Sequence, residues 1–142
     1  MVGKTDRAHP SREAVDFWVA AYERAWRSEG AAALVEVFAE DAVYRMSPYA
    51  EPVRGLAAIT ELWERERAGP DEEFELRHEI VAVEGGTAVV RAEVEYGTGA
   101  EYRDLWIVGL AADGRCRHFE EWPFWPGQPI SPDQSRPPAT GA

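Results

Sequence analysis

Asp104 stands in an alternating stretch, Tyr102 to Leu110, where it shares one strand face with Tyr102, Trp106 and Val108. A carboxyl group on an apolar face needs a reason, because leaving water penalises its charged form. If that face lines a pocket, burial raises the carboxyl pKa and favours the neutral acid, which can donate a hydrogen bond to a carbonyl or phenolate. The competing reading is an edge charge paired with Arg91 or Arg103 in a surface ladder. His78 shares a face with Phe74, Leu76 and Ile80, and the intrinsic pKa of imidazole suits acid–base work. A histidine in such a setting is more often a core residue with one backbone partner. Glu120 and Glu121 are adjacent, so strand alternation sends them to opposite faces and admits only one to a pocket unless a bulge intervenes. Cys116 and His118 lie two apart on one expected strand face. Two ligands without further thiols or imidazoles fall short of a zinc site, and that spacing does not make a nucleophile–base pair.

These side chains need elements to position them. From the cap residue Ser11, Val15, Trp18, Tyr22, Ala25 and Trp26 recur at three- and four-residue steps and predict a helix to about Ser28, closed by Gly30. A short apolar run, Leu34 to Phe38, predicts a second helix, and Ala42 to Met46 a first strand. Tyr49 to Gly55, with Pro52 and Gly55, reads as a loop or bent edge. Leu56 to Arg67 predicts a third helix with Ile59, Leu62 and Trp63 inward, stopped by Gly69-Pro70. Four alternating stretches follow: Phe74 to Val83, Ala88 to Tyr96, Tyr102 to Leu110 and Cys116 to Trp122. Gly85-Gly86, Gly97-Thr98-Gly99 and Asp113-Gly114 between them suit tight turns, so the four form an antiparallel meander. Three amphipathic helices cover its apolar face, giving an α+β fold with a curved antiparallel sheet.

The 142 residues fit one domain. Residues 1–10 read as a flexible tail and 11–125 as the domain. Residues 126–142 read as a second flexible tail, since six of the ten prolines fall at or after position 123. Twenty-six acids against fifteen Lys and Arg give a formal net charge of −11. That balance argues against partners that require phosphate neutralisation, whether nucleic acid or an anionic membrane. A single cysteine, no apolar N-terminal stretch and no long apolar run point to a cytoplasmic protein.

The order helix, helix, strand, helix, four-stranded meander resembles the nuclear transport factor 2-like superfamily, a cone-shaped, cystatin-like fold. The likeness extends over roughly residues 11 to 125. Phe38-Ala39-Glu40-Asp41-Ala42 followed by Glu51-Pro52-Val53-Arg54-Gly55 looks like the segment joining the second and third helices of ketosteroid-isomerase-like and SnoaL-like members. Asp113-Gly114-Arg115 before a closing aromatic strand is similar too, and Phe119-Glu120-Glu121-Trp122-Pro123 looks like the end of an uncharacterised bacterial subgroup. There Glu120 stands where an arginine is usual. The resemblance implies that Tyr22 and Asp104 match the tyrosine and acid that share an oxyanion hole in the ketosteroid isomerases. The proton-moving carboxylate of those enzymes falls at about Met46, whose thioether cannot take a proton near neutral pH. His78 is the substitute that the sequence offers.

Two functions follow as expectations. The first is an enclosed pocket for a small hydrophobic or aromatic molecule. Asp104, Tyr22 and His78 are its chemical groups, and Trp18, Tyr44, Met46, Trp63, Trp106, Glu120 and Trp122 are its walls. It needs no cofactor or metal, and isomerase, cyclase or hydrolase chemistry stays open beside simple binding. The second is a non-catalytic interaction module. Its outer sheet face, with Glu75, Arg77, Glu79, Arg91, Glu93 and Glu95, would meet a second copy or another protein. The resemblance implies a homodimer in either case.

Overall fold

A computed structural model of the chain describes residues 11–66 and 73–129. The expected N-terminal tail, the Gly69-Pro70 stop and the C-terminal tail from residue 130 lie outside them.

Helix α1 (Arg12–Arg27) begins where Ser11 accepts a hydrogen bond from the backbone N–H of Ala14. It ends at Ser28, whose hydroxyl donates to the carbonyl of Arg24, so serine and not Gly30 closes the last turn. Val15, Trp18, Val19, Tyr22 and Ala25 form its buried stripe. The second helix, α2 (Leu34–Val37), is a single turn and passes directly into β1 (Phe38–Arg45). That strand starts four residues earlier than the sequence suggests, because exposed Glu40 and Asp41 interrupt the alternation that would have marked it. The segment expected as a bent edge contains the two-residue β2 (Val53–Arg54), paired with β1. Helix α3 (Leu56–Glu66) buries Ile59 and Trp63.

The meander is β3 (Phe74–Glu84), β4 (Thr87–Tyr96), β5 (Glu101–Leu110) and β6 (Cys116–Phe124). Gly85 holds a positive φ of 60° at the first turn, a conformation that favours glycine. The full sheet has the order β2-β1-β6-β5-β4-β3. It is antiparallel except where β1 runs parallel to β6, so the sheet is mixed. The crossover from β1 to its neighbour β6 carries α3 and the rest of the meander, which is how the helices come to cover one face of the sheet.

Between helices and sheet lies an aromatic core. Trp18, Phe38, Trp106 and Phe119 are fully buried, and Trp18 stacks on Tyr22 at 5.1 Å. Side chains of this size contribute about 2–3 kcal/mol each through burial alone. The Trp18 indole N–H donates to the carbonyl of Val37 at 2.9 Å, tying α1 to the α2–β1 junction.

One irregularity decides which side chains reach the interior. Gly109 pairs with His118, but Leu110 pairs with Cys116, so Arg117 is an extra residue in β6. The bulge resets the alternation. Cys116, Phe119, Glu121 and Pro123 face the helices, whereas His118, Glu120 and Trp122 face outward.

Candidate functional site

The concave face opens into a cavity of about 920 Å³ between α1, α3 and the far ends of β4, β5 and β6. Strand register assembles its floor. Asp104 pairs with Pro123 and Trp106 with Glu121, so Asp104 and Glu121 are diagonal neighbours on one face. Tyr44 pairs with Phe119, which places its phenol beside Glu121 from the other side.

These groups lie in one row. The Tyr22 and Tyr44 phenols are neighbours, each acting on the ionisation of the other. The Tyr44 hydroxyl donates to Glu121 Oε1 at 2.6 Å. The Glu121 and Asp104 carboxyls are near enough to share a hydrogen bond when one of them is protonated. At the end of the row, the fully buried Trp106 donates its indole N–H to Asp104 Oδ2 at 3.3 Å. Asp104 is only 7% exposed, and its Oδ1 meets no donor among the described residues.

Two carboxyl groups in contact cannot both ionise cheaply out of water. Desolvation pushes Asp104 up to about 6, while the donors around it pull the other way. Glu121 is pushed up to about 7, first by desolvation and then by the charge of Asp104. The two values belong to the pair, and each charge makes the loss of the other proton harder. Burial likewise raises the phenols of Tyr22 and Tyr44 well above their ordinary value, with Glu121 the next cause in each. They stay neutral donors. The cavity floor therefore carries two carboxyl groups that keep their protons to higher pH than they would in water.

Tyr22, Tyr44, Met46, Trp63 and Asp104 line the cavity. The other five expected wall or site residues, Trp18, Trp106, Glu120, Trp122 and His78, do not. Trp18 lies in the core, its indole turned to Val37. Trp106 lies beneath the floor and reaches the site only through Asp104. Glu120 and Trp122 are on the outer face, where Glu120 accepts from the Trp122 indole and bonds His118 at 2.7 Å. Glu121 takes the inward place that simple alternation left undecided, and the Arg117 bulge is the reason. His78 does share the concave face, but it sits near the sheet edge and bonds Asp16 of α1 at 2.7 Å. It is neither a cavity group nor a core residue held by one backbone partner. Cys116 is buried with its thiol pushed up to about 12 by desolvation, and it donates to the His118 carbonyl at 3.2 Å while the His118 imidazole lies on the opposite face. No group of three His, Cys, Asp or Glu side chains among the described residues could hold a metal ion.

The family model of the SnoaL-like domain matches residues 19–119. The chain belongs to the SnoaL-like family. Solved structures place this SnoaL-like chain among nuclear transport factor 2-like and cystatin-like folds. A nuclear transport factor 2-like protein of unknown function from Mesorhizobium loti is 23% identical, covers 81% of this chain and 95% of its own, and gives a TM-score of 0.60. A protein of unknown function with a cystatin-like fold from Methylobium petroleophilum is 18% identical over 89% and 84%, with a TM-score of 0.63. A candidate ketosteroid isomerase from Kribbella flavida is 18% identical over 87% and 86%, with a TM-score of 0.57. At such identities the likeness is one of fold. No curated protein matches the SnoaL-like chain significantly.

Proposed function

We propose that this SnoaL-like protein binds a small, largely apolar or aromatic molecule in the cavity and moves a proton on it without a cofactor. The observation that carries this reading is the Asp104–Glu121 pair on side chains that line the cavity floor. One oxygen of Asp104 meets no donor among the described residues, a cost in free energy that a proton held by the pair relieves. The cavity volume suits a ligand of a few fused rings. One neutral and one ionised carboxyl supply the acid and the base, with Glu121 serving where Met46 cannot. Tyr22 and Tyr44 extend the donor chain and hold Glu121 in place.

The test is calorimetric titration of the full chain with 2-naphthol, a neutral fused-ring phenol. Asp104→Leu is expected to weaken binding about tenfold or more, and Asp104→Asn less, because the amide keeps a donor. Unchanged affinity in both variants would remove the anchor role of Asp104.

We read the protein as cytoplasmic and homodimeric, without nucleic-acid or membrane partners. Its net charge of −11 supports the last point. Among the described residues no helix is long and apolar enough to cross a membrane. Light scattering tests the dimer, and a monomer at micromolar concentration would refute it. The alternative of a purely structural interaction face draws little support from the outer charges. Arg77 pairs with Glu93 at 3.1 Å and Arg91 with Glu79 at 3.3 Å, so these groups are already used within the sheet.

A further inference from the structure

The sheet ends on two unlike edges, β2 and β3. With two residues β2 is too short to serve as a pairing template, whereas β3 has eleven. An open edge of that length invites another strand unless something covers it. The Gly97 N–H donates to the Glu73 carbonyl at 2.9 Å, and the register continues in steps of two, so Glu75, Arg77 and Glu79 exchange bonds with β4. Phe74, Leu76, His78 and Ile80 therefore turn their backbone N–H and C=O groups to the outer edge.

The two ends of α1 hold this edge. Its first residue, Arg12, donates to the Ile80 carbonyl at 3.0 Å, and its last, Arg27, donates to the Phe74 carbonyl at 3.0 Å. The Arg27 guanidinium also covers the Phe74 ring, 4.0 Å from its centroid. Between the two arginines Asp16 bonds His78 at 2.7 Å, so the histidine belongs to the same strap.

Charge selects what the edge accepts. Its outer row reads Glu75, Arg77, Glu79, and Arg77 and Glu79 stay 64% and 68% exposed beside their partners in β4. A second β3 running antiparallel about a two-fold axis at His78 sets Arg77 opposite the partner's Glu79, on both sides of the axis. An axis at Leu76 likewise sets Glu75 opposite the partner's Arg77. An axis at Arg77 sets arginine against arginine and glutamate against glutamate, which repels. The register about His78 needs the Ile80 carbonyl, which Arg12 occupies. The register about Leu76 needs the Phe74 carbonyl, which Arg27 occupies.

We infer that β3 is a pairing edge for the β3 of a second copy of this chain, and that Arg12 and Arg27 hold it closed, one arginine for each register that charge permits.

The test compares the light-scattering masses of full-length variants at micromolar concentration, with near-ultraviolet circular dichroism confirming that each is folded. Arg12→Ala/Arg27→Ala is expected to at least double the wild-type mass. Adding His78→Pro is expected to restore the wild-type value, because proline removes an N–H that both registers use. Adding His78→Ala instead keeps that N–H and is expected to leave the larger mass in place. Arg12→Ala and Arg27→Ala alone each open one register and are expected to raise the mass as well, which covers a double variant that does not fold. Folded variants of wild-type mass would overturn the closed-edge assignment. So would a larger mass that proline leaves unchanged or that alanine also reverses, since that growth would come from another surface.

Discussion

The Asp104–Glu121 pair makes stability depend on pH in a defined direction. Both folded-state pKa values lie above those of the unfolded chain, at about 6 and about 7. The stability contributed by the protonated groups is therefore complete below the unfolded values near pH 4 and is lost as pH rises through 6 to 7. Between pH 5 and 8 the wild-type chain is expected to lose on the order of 2 kcal/mol, reduced by whatever solvent reaches Glu121 from the cavity. The variant Asp104→Asn/Glu121→Gln should lack this loss. Urea unfolding of both proteins across that range checks it, and parallel curves would contradict the shared proton. Trp106 acts on the same pair from below. Its indole N–H favours the ionised form of Asp104, so Trp106→Phe should move the Asp104 titration further up. Carbon-13 carboxyl shifts followed against pH measure that displacement.

At the level of elements, the bulge in β6 is the device that builds the site. Arg117 takes one position out of phase, which lets Cys116 and Phe119 both point into the core and brings Glu121 to the cavity. Deleting Arg117 removes the bulge and leaves Cys116, His118 and Phe119 in plain alternation, so Cys116, Phe119 and Glu121 all keep their inward places. The deletion is expected to cost no more than about 1 kcal/mol in urea unfolding and to keep the raised glutamate titration, whereas loss of that titration would overturn the role of Arg117 as the extra residue. The contact of α1 with β3 behaves differently. His78 and Asp16 join the helix to the sheet edge at 2.7 Å, with Asp16 largely in water. His78→Ala should cost no more than about 1 kcal/mol and leave 2-naphthol affinity as it was, because the pair is peripheral. A large loss of affinity in this variant would return His78 to the site.

For the whole molecule, twenty-six acids outnumber fifteen Lys and Arg. Self-repulsion at a net charge of −11 opposes the compact state, and screening relieves it. Raising salt from 20 to 300 mM should therefore raise the midpoint of thermal unfolding, as read by scanning calorimetry. An unchanged or lowered midpoint would show that self-repulsion does not weigh on the fold.

Element order, the buried stripes of α1 and α3, the meander and its turns were all legible in the chain, because each is written in local periodicity and turn chemistry. Tyr22, Tyr44, Met46, Trp63 and Asp104 were legible as cavity side chains for a related reason. A carboxyl group on an alternating apolar face, and aromatics at helical or strand spacing, must point toward the covered side. The parallel pairing of β1 with β6 was not, since it joins residues some 75 positions apart without a local signal. Nor was Glu121, because a single extra residue in β6 inverts the faces of everything after it, and nothing in the sequence of that strand marks where the pairing slips. Whether two acids meet and share a proton depends on distances across strands, which tertiary pairing alone sets.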